Sequence, residues 1–280
     1  MLVDYNGLNL ADDINYVLTG LTGWQGLPDI TNGSSPRPRR NGSVRGGLLA
    51  QKRVIGVDLV IPGVLDDSNQ TTKPKAALVA AMGLLDQEVP LTIDLGYGSR
   101  PEMAFVRVTA FDMAMQAGYG RNQPATIEFT ATDPRRYSLD IHTSSTGLST
   151  RAPGIAYPLT YPIHFTALGS PGSVDIPNVG NAETPATYTI TGPINYPSIT
   201  VVSPQGRFKT TFDLAVGAGE QLTVNSDTGE VKLNGSSRYG KARGSLTENL
   251  NLAPGVSTVT FGGQGDSSAR LSIQWRDANI

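Results

Sequence analysis

The 280-residue sequence has no cysteine and only two histidines. The absence of cysteine excludes disulfides, thiolate nucleophiles and Cys-ligated zinc, and it suits a protein that folds in a reducing cytoplasm. His142 and His164 have no partner at a spacing typical of metal ligands or of a general base. We therefore expect no metal site and no histidine-based catalysis.

Charge of either sign is also scarce. Charged residues make up 16% of the chain, and the formal net charge is −2. A protein whose main task is to bind nucleic acid usually carries a clear basic excess, because neutralisation of phosphates drives that binding. The composition therefore argues against a dedicated nucleic-acid-binding protein.

Long hydrophobic runs are missing as well. No stretch approaches the roughly 20 apolar residues that a membrane-spanning helix needs. The opening residues Met1–Gly7 have neither the basic region nor the apolar region of a secretory signal. We expect a protein that is made in the cytoplasm and has no membrane span.

Glycine and proline, by contrast, are plentiful, with 32 and 19 residues. They separate regularly spaced apolar runs, a pattern typical of turns in a β-rich protein. Hydrophobic residues make up 39% of the chain, more than a disordered protein would carry, and the length suggests two domains. We predict a mainly β protein with modules at residues 1–137 and 159–280, joined by an irregular connector at 138–158.

Four apolar segments of the N-terminal module have the β-branched composition of strands. They are residues 54–62, 89–95, 103–111 and 123–131. The segment at 103–111 is predicted to be buried on much of both faces.

One helix is predicted, at about residues 73–87. Thr71 or Thr72 can cap it, and Pro74 falls in the first turn, where its missing N–H costs nothing. An apolar face at helical spacing is formed by Leu78, Ala81, Met82 and Leu85.

The second half reads as a succession of hairpins. The predicted strand pairs are 199–202 with 207–214, 222–224 with 231–233, and 250–252 with 259–261, followed by a last strand at 269–275. In that last strand Leu271, Ile273 and Trp275 alternate with polar residues and are predicted to face the core. Many short strands with regular turns indicate a β-sandwich of jelly-roll or galectin-like type.

No motif of a known catalytic or cofactor-binding site is present. The Gly96-Tyr-Gly98 and Gly118-Tyr-Gly120 segments lack a third glycine and are read as hairpin turns. Carboxylates are scattered; a glycosidase pair could still form in space, but nothing in the sequence points to one. We predict a protein that is not an enzyme and that uses no cofactor.

Two groups of residues are candidates for binding. The basic cluster Arg37, Arg39, Arg40 and Arg45 could be a solvated loop, an arm that contacts a neighbouring subunit, or a lining for a channel that DNA traverses. The arm or loop interpretation is preferred, because aromatic residues do not alternate with the arginines as in single-strand binding. Tyr157, Tyr161 and Tyr239 are candidates for glycan contact, although tyrosine packing at strand ends is commoner.

A series of phrases, in order, resembles the distal tail protein family of siphovirus-type bacteriophages. They cover nearly the whole chain. Each segment consists mostly of residues that are typical of β-turns and is weak evidence by itself, so the resemblance rests on their order and spacing. They are Val3–Leu10, Tyr16–Gly23, Arg37–Gly47, Arg53–Ile61, the predicted helix, Glu128–Tyr137, Asn178–Pro185, Tyr188–Pro193, Leu214–Val224, Leu252–Gly255 and Trp275–Arg276.

The resemblance implies a split-barrel-like N-terminal module related to tail-tube subunits and a galectin-like C-terminal β-sandwich. It implies a structural role in the virion tail, in which six copies form a ring that joins the tail tube to the tail tip or baseplate. DNA would pass through the central channel without specific binding. A belt that reaches the neighbouring subunit could come from Arg37–Gly47 or from Gly96–Gly120. The alternative function is a glycan-binding module for attachment to the host surface.

Overall fold

The computed structural model describes residues 1–63, 68–96, 98–114, 122–149 and 172–280. The chain divides into two compact units, Met1–Leu139 and Asp140–Asn279, called here the N-terminal and C-terminal units. Strands dominate both, so the predicted mainly β class is confirmed. Among the described residues, neither helix has the length and apolar character needed to cross a membrane.

The N-terminal unit contains twelve strands and one helix among its described residues. They are β1 (Leu2–Tyr5), β2 (Leu8–Asn9), β3 (Val17–Thr22), β4 (Ile30–Asn32), β5 (Ser35–Pro36), β6 (Ser43–Val44), β7 (Leu48–Ala50), β8 (Arg53–Ile61), α1 (Ser68–Ala81), β9 (Val89–Asp94), β10 (Glu102–Met113), β11 (Gln123–Ala131) and β12 (Arg136–Ser138).

The main sheet of this unit runs β2-β1-β9-β10-β11-β8-β3, and its neighbours are antiparallel. The long strand β10 belongs to two groups of strands. Its first half pairs with β9 and β12, and its second half pairs with β11 from Arg107 onward, with a register shift between Val108 and Ala110. Bulges of this kind bend a strand and increase its twist, which lets one strand join two sheet segments.

The core of the unit is formed by every second side chain along its strands. On β8, Ile55, Val57, Leu59 and Ile61 face inward and are fully buried. Across the core the rings of Tyr5 and Phe129 lie with centroids 4.8 Å apart. On β10 the expectation of burial on both faces is wrong: Phe105 is 40% exposed, because the core covers only one face of this strand.

The helix lies earlier in the chain than predicted. It begins at Ser68, so Thr71 and Thr72 lie within it and not at its N-cap position. It ends at Ala81, two residues before Gly83, a residue type that disfavours helix. Leu78 and Met82 pack into the core as predicted, whereas Leu85 lies beyond the helix and is largely exposed.

The C-terminal unit contains thirteen strands and two short helical segments among its described residues. They are β13 (His142–Gly147), β14 (Ser173–Asn178), β15 (Ala186–Thr191), β16 (Ile194–Ser203), β17 (Gly206–Phe212), β18 (Ala215–Val216), β19 (Gln221–Asn225), β20 (Val231–Leu233), β21 (Ser236–Ser237), a 3-10 turn (Tyr239–Lys241), β22 (Ala242–Arg243), α2 (Leu246–Asn249), β23 (Gly255–Gly265), β24 (Arg270–Trp275) and β25 (Ala278–Asn279).

Two antiparallel sheets of this unit enclose one apolar core. One sheet has the order β13-β24-β15-β19-β20-β21 and the other β14-β23-β16-β17-β22, with β18 beside β16. Leu271, Ile273 and Trp275 face the core as predicted, and the Trp275 indole N–H donates to the carbonyl of Pro177 at 3.0 Å. The predicted β-sandwich is confirmed.

Two local predictions in this half are wrong. The irregular connector at 138–158 does not extend over His142–Gly147, which form β13; this strand supplies the hydrogen-bond partners of one edge of β24. Residues 150–158 of that connector lie outside the described residues. Residues 250–252 are not a strand, because the chain there leaves α2, whose first turn is capped by the Ser245 hydroxyl accepting from the Glu248 N–H at 3.2 Å.

Candidate assembly surfaces

Residues 30–50 form a two-stranded extension of the N-terminal unit, called here the arm. Strand β4 pairs with β7, and β5 pairs with β6. Between the two ladders the Gly33 N–H donates to the Gly47 carbonyl at 3.0 Å. A Cβ at Gly46 would lie 2.0 Å from the carbonyl oxygen of Gly33, so this close approach requires glycine.

The arm carries both the predicted arginines and apolar side chains on an open surface. Arg37, Arg39, Arg40 and Arg45 are all exposed, and no acidic residue occurs between residues 30 and 50. Leu48 and Leu49 are 65% and 68% exposed, and Ile30 and Val44 are also exposed. A two-stranded ribbon is only marginally stable in water by itself, and grouped exposed apolar side chains mark interaction sites.

The second candidate for the belt, Gly96–Gly120, differs in kind. Most of its described part is β10, which is built into the main sheet. Residues 97 and 115–120 lie outside the described residues.

A buried arginine fixes the chain just before the arm. Arg53 is 1% exposed, and its Nη1 donates to the carbonyls of Gly23, Trp24 and Gly26 at 2.7, 3.1 and 2.7 Å. Its Nε donates to the carbonyl of Pro134 at 2.8 Å. One guanidinium therefore ties residues 23–26 to β8 and to the segment before β12.

The pKa of Arg53 is affected by burial and by two charged neighbours. Burial, followed by the nearby Arg136 guanidinium, lowers the pKa of Arg53 to about 10, and the Glu102 carboxylate acts in the opposite direction. Arg136 itself lies over the Trp24 ring at 5.6 Å from its centroid and pairs with Glu102 at 3.1 Å. The cluster joins three segments that are far apart in sequence.

At the β3 end of the main sheet, two strand edges carry no partner strand within the part of the chain that the structure describes. Strand β3 pairs on one side only, with β8. The second half of β10, from Ala110 to Met113, pairs only with β11. The four strands β3-β8-β11-β10 thus form a sheet segment whose two outer edges can each accept another strand.

The face of this segment that points away from the core is acidic and hydroxyl-rich. Asp58, Thr126 and Asp112 stand opposite one another on β8, β11 and β10. The Thr126 hydroxyl donates to Asp58 at 2.8 Å, and the Thr109 hydroxyl donates to Glu128 at 2.9 Å. Sheet spacing places the Asp58 and Asp112 backbones about 10 Å apart.

The predicted glycan-contact residues are not brought together within the described residues. Tyr239 lies in the 3-10 turn at the edge of the C-terminal sandwich and is 68% exposed. Tyr157 and Tyr161 lie outside the described residues. Among the described residues no group of three or more His, Asp or Glu side chains is arranged to hold a metal ion.

Comparison with known proteins gives a family match within the C-terminal unit. Residues 179–278 match the family described as the siphovirus-type tail component, C-terminal domain. The C-terminal unit is thus similar to the siphovirus-type tail component domain. The resemblance to siphovirus distal tail proteins predicted from the sequence is thereby confirmed. The known members of this family are structural tail proteins.

Solved structures extend the likeness over the whole chain. The SPP1 Dit protein (gp 19.1), described as a paradigm of the hub adsorption apparatus in phages that infect Gram-positive bacteria, superposes with a TM-score of 0.69. The alignment covers 100% of this chain and 99% of that one at 13% identity, so it shows a shared fold. A chain of the phage P2 baseplate in its activated conformation with Ca superposes with a TM-score of 0.52 at 12% identity, covering 95% of this chain and 92% of that one. No curated protein sequence matches this chain.

Sequence reasoning missed the two features that organise the N-terminal unit. Arg53 stood immediately before the predicted strand 54–62 and opened one of the segments that carry the family resemblance, and no local pattern distinguishes it from an exposed arginine. The open sheet edges left no signal, because edge position depends on which strands pair and not on the composition of one strand.

Proposed function

We propose that this chain is a distal tail protein that forms a hexameric ring through its N-terminal units. The ring joins the tail tube on one side to the tail tip or baseplate on the other and leaves a channel for DNA. The protein acts as a structural component of the virion tail, made in the host cytoplasm, and has no catalytic role. Its partners are further copies of itself, the tail-tube protein, and the tip, hub or receptor-binding proteins.

The observation that carries the proposal is the open-edged segment β3-β8-β11-β10. A ring of identical subunits needs two different surfaces that fit each other, repeated around an axis until the ring closes. Edge β3 of one copy and edge β10 of the next can supply them by strand addition, with main-chain hydrogen bonds across the interface.

In such a ring only one face of the segment β3-β8-β11-β10 can line the channel. The core face of the segment is covered by β1, β9 and α1 side chains of its own unit, so it cannot face an open lumen. The opposite face, with Asp58, Asp112 and Glu128 together with the exposed Arg107, would line it. Carboxylates repel phosphates, which suits a channel that DNA crosses without being bound.

The arm supplies the belt of this proposal. Its four exposed apolar side chains have no cover within the described residues, and burying each on a neighbour would contribute on the order of 1 kcal/mol. The four arginines add a charge of opposite sign to the acidic remainder of the chain. Both features favour contact with a second copy over a free loop.

Negative-stain electron microscopy with light scattering tests the proposal. We expect six-fold rings with a central hole and a mass six times the 29.6 kDa of one chain. A monodisperse monomer, both alone and mixed with the tail-tube protein, would contradict the ring.

A truncated variant tests the arm separately. Residues 34–46 can be removed and Gly33 joined to Gly47, because the backbones of these two glycines are already in contact. We expect loss of rings with an unchanged circular dichroism spectrum. The matched control is Arg39→Gln with Arg40→Gln, which keeps the full length of the arm. Rings that survive the truncation would exclude residues 34–46 from assembly and leave the β4-β7 ladder and the sheet edges as the interface.

A further inference from the structure

Five basic side chains lie along one edge of the C-terminal sandwich and are called here the cationic strip. Arg207 and Lys209 lie on β17. Arg238, Lys241 and Arg243 lie on the segment that passes from the end of β21 to β22. All five residues are exposed.

The pairing of β17 with its neighbours sets the spacing of the strip. Arg207 and Lys209 alternate with Phe208, Thr210 and Phe212, of which the last two are buried, so the two cations project from the opposite, outer face of β17. Thr211 continues that face and stands opposite Arg243 on β22. Successive same-face residues on a strand lie about 7 Å apart, so positive charges recur at that interval along the edge.

The strip concentrates charge that is otherwise scarce in this unit. Residues 140–280 contain nine Lys and Arg and ten Asp and Glu, so the strip holds more than half of the cations. Arg243 is paired with Asp213 at 2.7 Å, and Asp213 is also close enough to Lys241 to feel its charge. For Arg207, Lys209 and Arg238 no ion pair occurs within the described residues.

An exposed aromatic ring completes the strip. Tyr239 is 68% exposed and stands between Arg238 and Lys241 in the chain. The turn is fixed at both ends, since the Arg238 N–H donates to the Val231 carbonyl at 2.7 Å and the Lys241 carbonyl accepts from the Asp213 N–H at 2.7 Å. A rigidly held aromatic ring beside cations presents an apolar platform and a charge-pairing site together.

We propose that the cationic strip and Tyr239 bind an anionic polysaccharide, a sugar chain that carries phosphate or carboxylate groups. The repeated cations would pair with the anionic groups, and a sugar ring would stack on Tyr239. Nucleic acid fits less well, because stacking of successive bases needs several aromatic side chains along the basic groove, whereas the strip has one. This binding goes beyond the proposed ring, which uses the N-terminal unit.

The test compares polymers that share one backbone. Binding of the full-length protein to immobilised phosphorylated dextran, carboxymethyl dextran and unmodified dextran is measured by biolayer interferometry, with single-stranded DNA as a further ligand. We expect binding to one or both charged dextrans, weakening as salt rises, and none to the neutral polymer. The two charged dextrans distinguish phosphate from carboxylate recognition.

Variants assign the binding to the strip. Arg207→Ala with Lys209→Ala should weaken binding about tenfold, and Tyr239→Ala about fivefold, the size expected for one lost aromatic contact. Arg270→Ala is the matched control. It removes an exposed cation from β24, which is not in the sheet of β17 and β22 and lies four strands from β21 within its own sheet. This change should alter binding less than about twofold.

Three results would overturn the proposal. One is an absence of binding to either charged dextran. Another is an equal loss in Arg270→Ala, which would mean attraction by overall charge. The last is binding to DNA as tight as to the dextrans with no effect of Tyr239→Ala, which would mean a surface selective for anions but not for sugars. Electron microscopy of the same variants reports ring formation separately, so a loss of binding with intact rings is a property of the strip.

Discussion

Replacing Arg53 by Met should destabilise the N-terminal unit by roughly 3 kcal/mol or more. The substitution removes four hydrogen bonds from a charged donor to the carbonyls of Gly23, Trp24, Gly26 and Pro134. Hydrogen bonds to charged groups are worth about 1.5–3 kcal/mol each, and the orphaned carbonyls would stay buried. Part of the loss is offset, because the lowered pKa of Arg53 shows that the fold disfavours its charge; a shift from 12.5 to about 10 corresponds to about 3 kcal/mol.

The two tryptophans make the assay specific for each unit. Trp24 lies in the N-terminal unit and Trp275 in the C-terminal unit. Urea unfolding followed by fluorescence in Trp275→Phe and Trp24→Phe backgrounds therefore reports the two transitions separately. We expect Arg53→Met to lower the midpoint of the Trp24 transition only, and Arg53→Lys to have an intermediate effect, because an ammonium cannot reach all four carbonyls.

An exposed arginine of the same sheet provides the control. Arg107→Met on β10 should change the Trp24 transition by less than about 0.5 kcal/mol. A cost below about 1 kcal/mol for Arg53→Met, or an equal shift of both transitions, would refute the anchoring role. Loss of the anchor should also loosen residues 23–26 and weaken ring formation by the arm that follows them.

Three further predictions concern other parts of the chain. Gly23→Ala should destabilise the N-terminal unit by about 2–4 kcal/mol in the same assay, because φ is +73° there and a Cβ would lie 1.9 Å from the Val54 carbonyl oxygen; the open position Gly26→Ala is its control. Burial raises the pKa of Tyr188, so its contribution to stability is present below the ordinary tyrosine pKa of about 10 and is lost as pH rises above it. Tyr188→Phe should flatten that alkaline loss while costing about 1–2 kcal/mol at pH 7, since the Leu250 carbonyl loses its donor; an unchanged alkaline slope would contradict this. Asp112→Lys would place six cations in the channel and should slow DNA release from phage carrying the variant, whereas unchanged kinetics would argue against the proposed lining.

Periodicity predicted most of the fold, because both cores are built by alternation along strands. The segments at 54–62, 89–95 and 123–131 correspond closely to β8, β9 and β11. Each carries β-branched residues on an inward face and ends at a turn, so local composition and tertiary burial agree. The last strand was predictable for the same reason.

Errors arose where local signals compete. Pro74 is favoured in a first turn, yet here it lies inside α1, and its carbonyl accepts from the Tyr16 hydroxyl at 2.7 Å. Residues 142–147 are rich in Ser, Thr and Gly, but they form a strand because they pair with the outer edge of β24. In both places a tertiary contact outweighs propensity, which no pattern within the segment reveals.

The candidate surfaces were harder to predict than the folds that carry them. The arginines of the arm were visible in the sequence because they cluster within nine residues. The acidic sheet face and the cationic strip were not, because the first collects residues from three strands and the second joins residues 207–209 to residues 238–243, which are distant in sequence. Asp58 and Asp112, for instance, meet only through the register of β11 with both of its neighbours.

The two proposals are linked by multivalency. A strip of exposed charges is screened over about 8–10 Å at physiological ionic strength, so a single copy should bind an anionic polymer weakly. A ring would present six strips to the same polymer, and linked sites can raise the overall affinity by factors of about 10² to 10⁴ without any new contact. Removing residues 34–46 should therefore weaken binding to a charged dextran along with ring formation, although the strip itself is intact. If the truncated protein loses its rings but binds the dextran as tightly as the full chain, each strip acts alone and the ring contributes nothing to attachment.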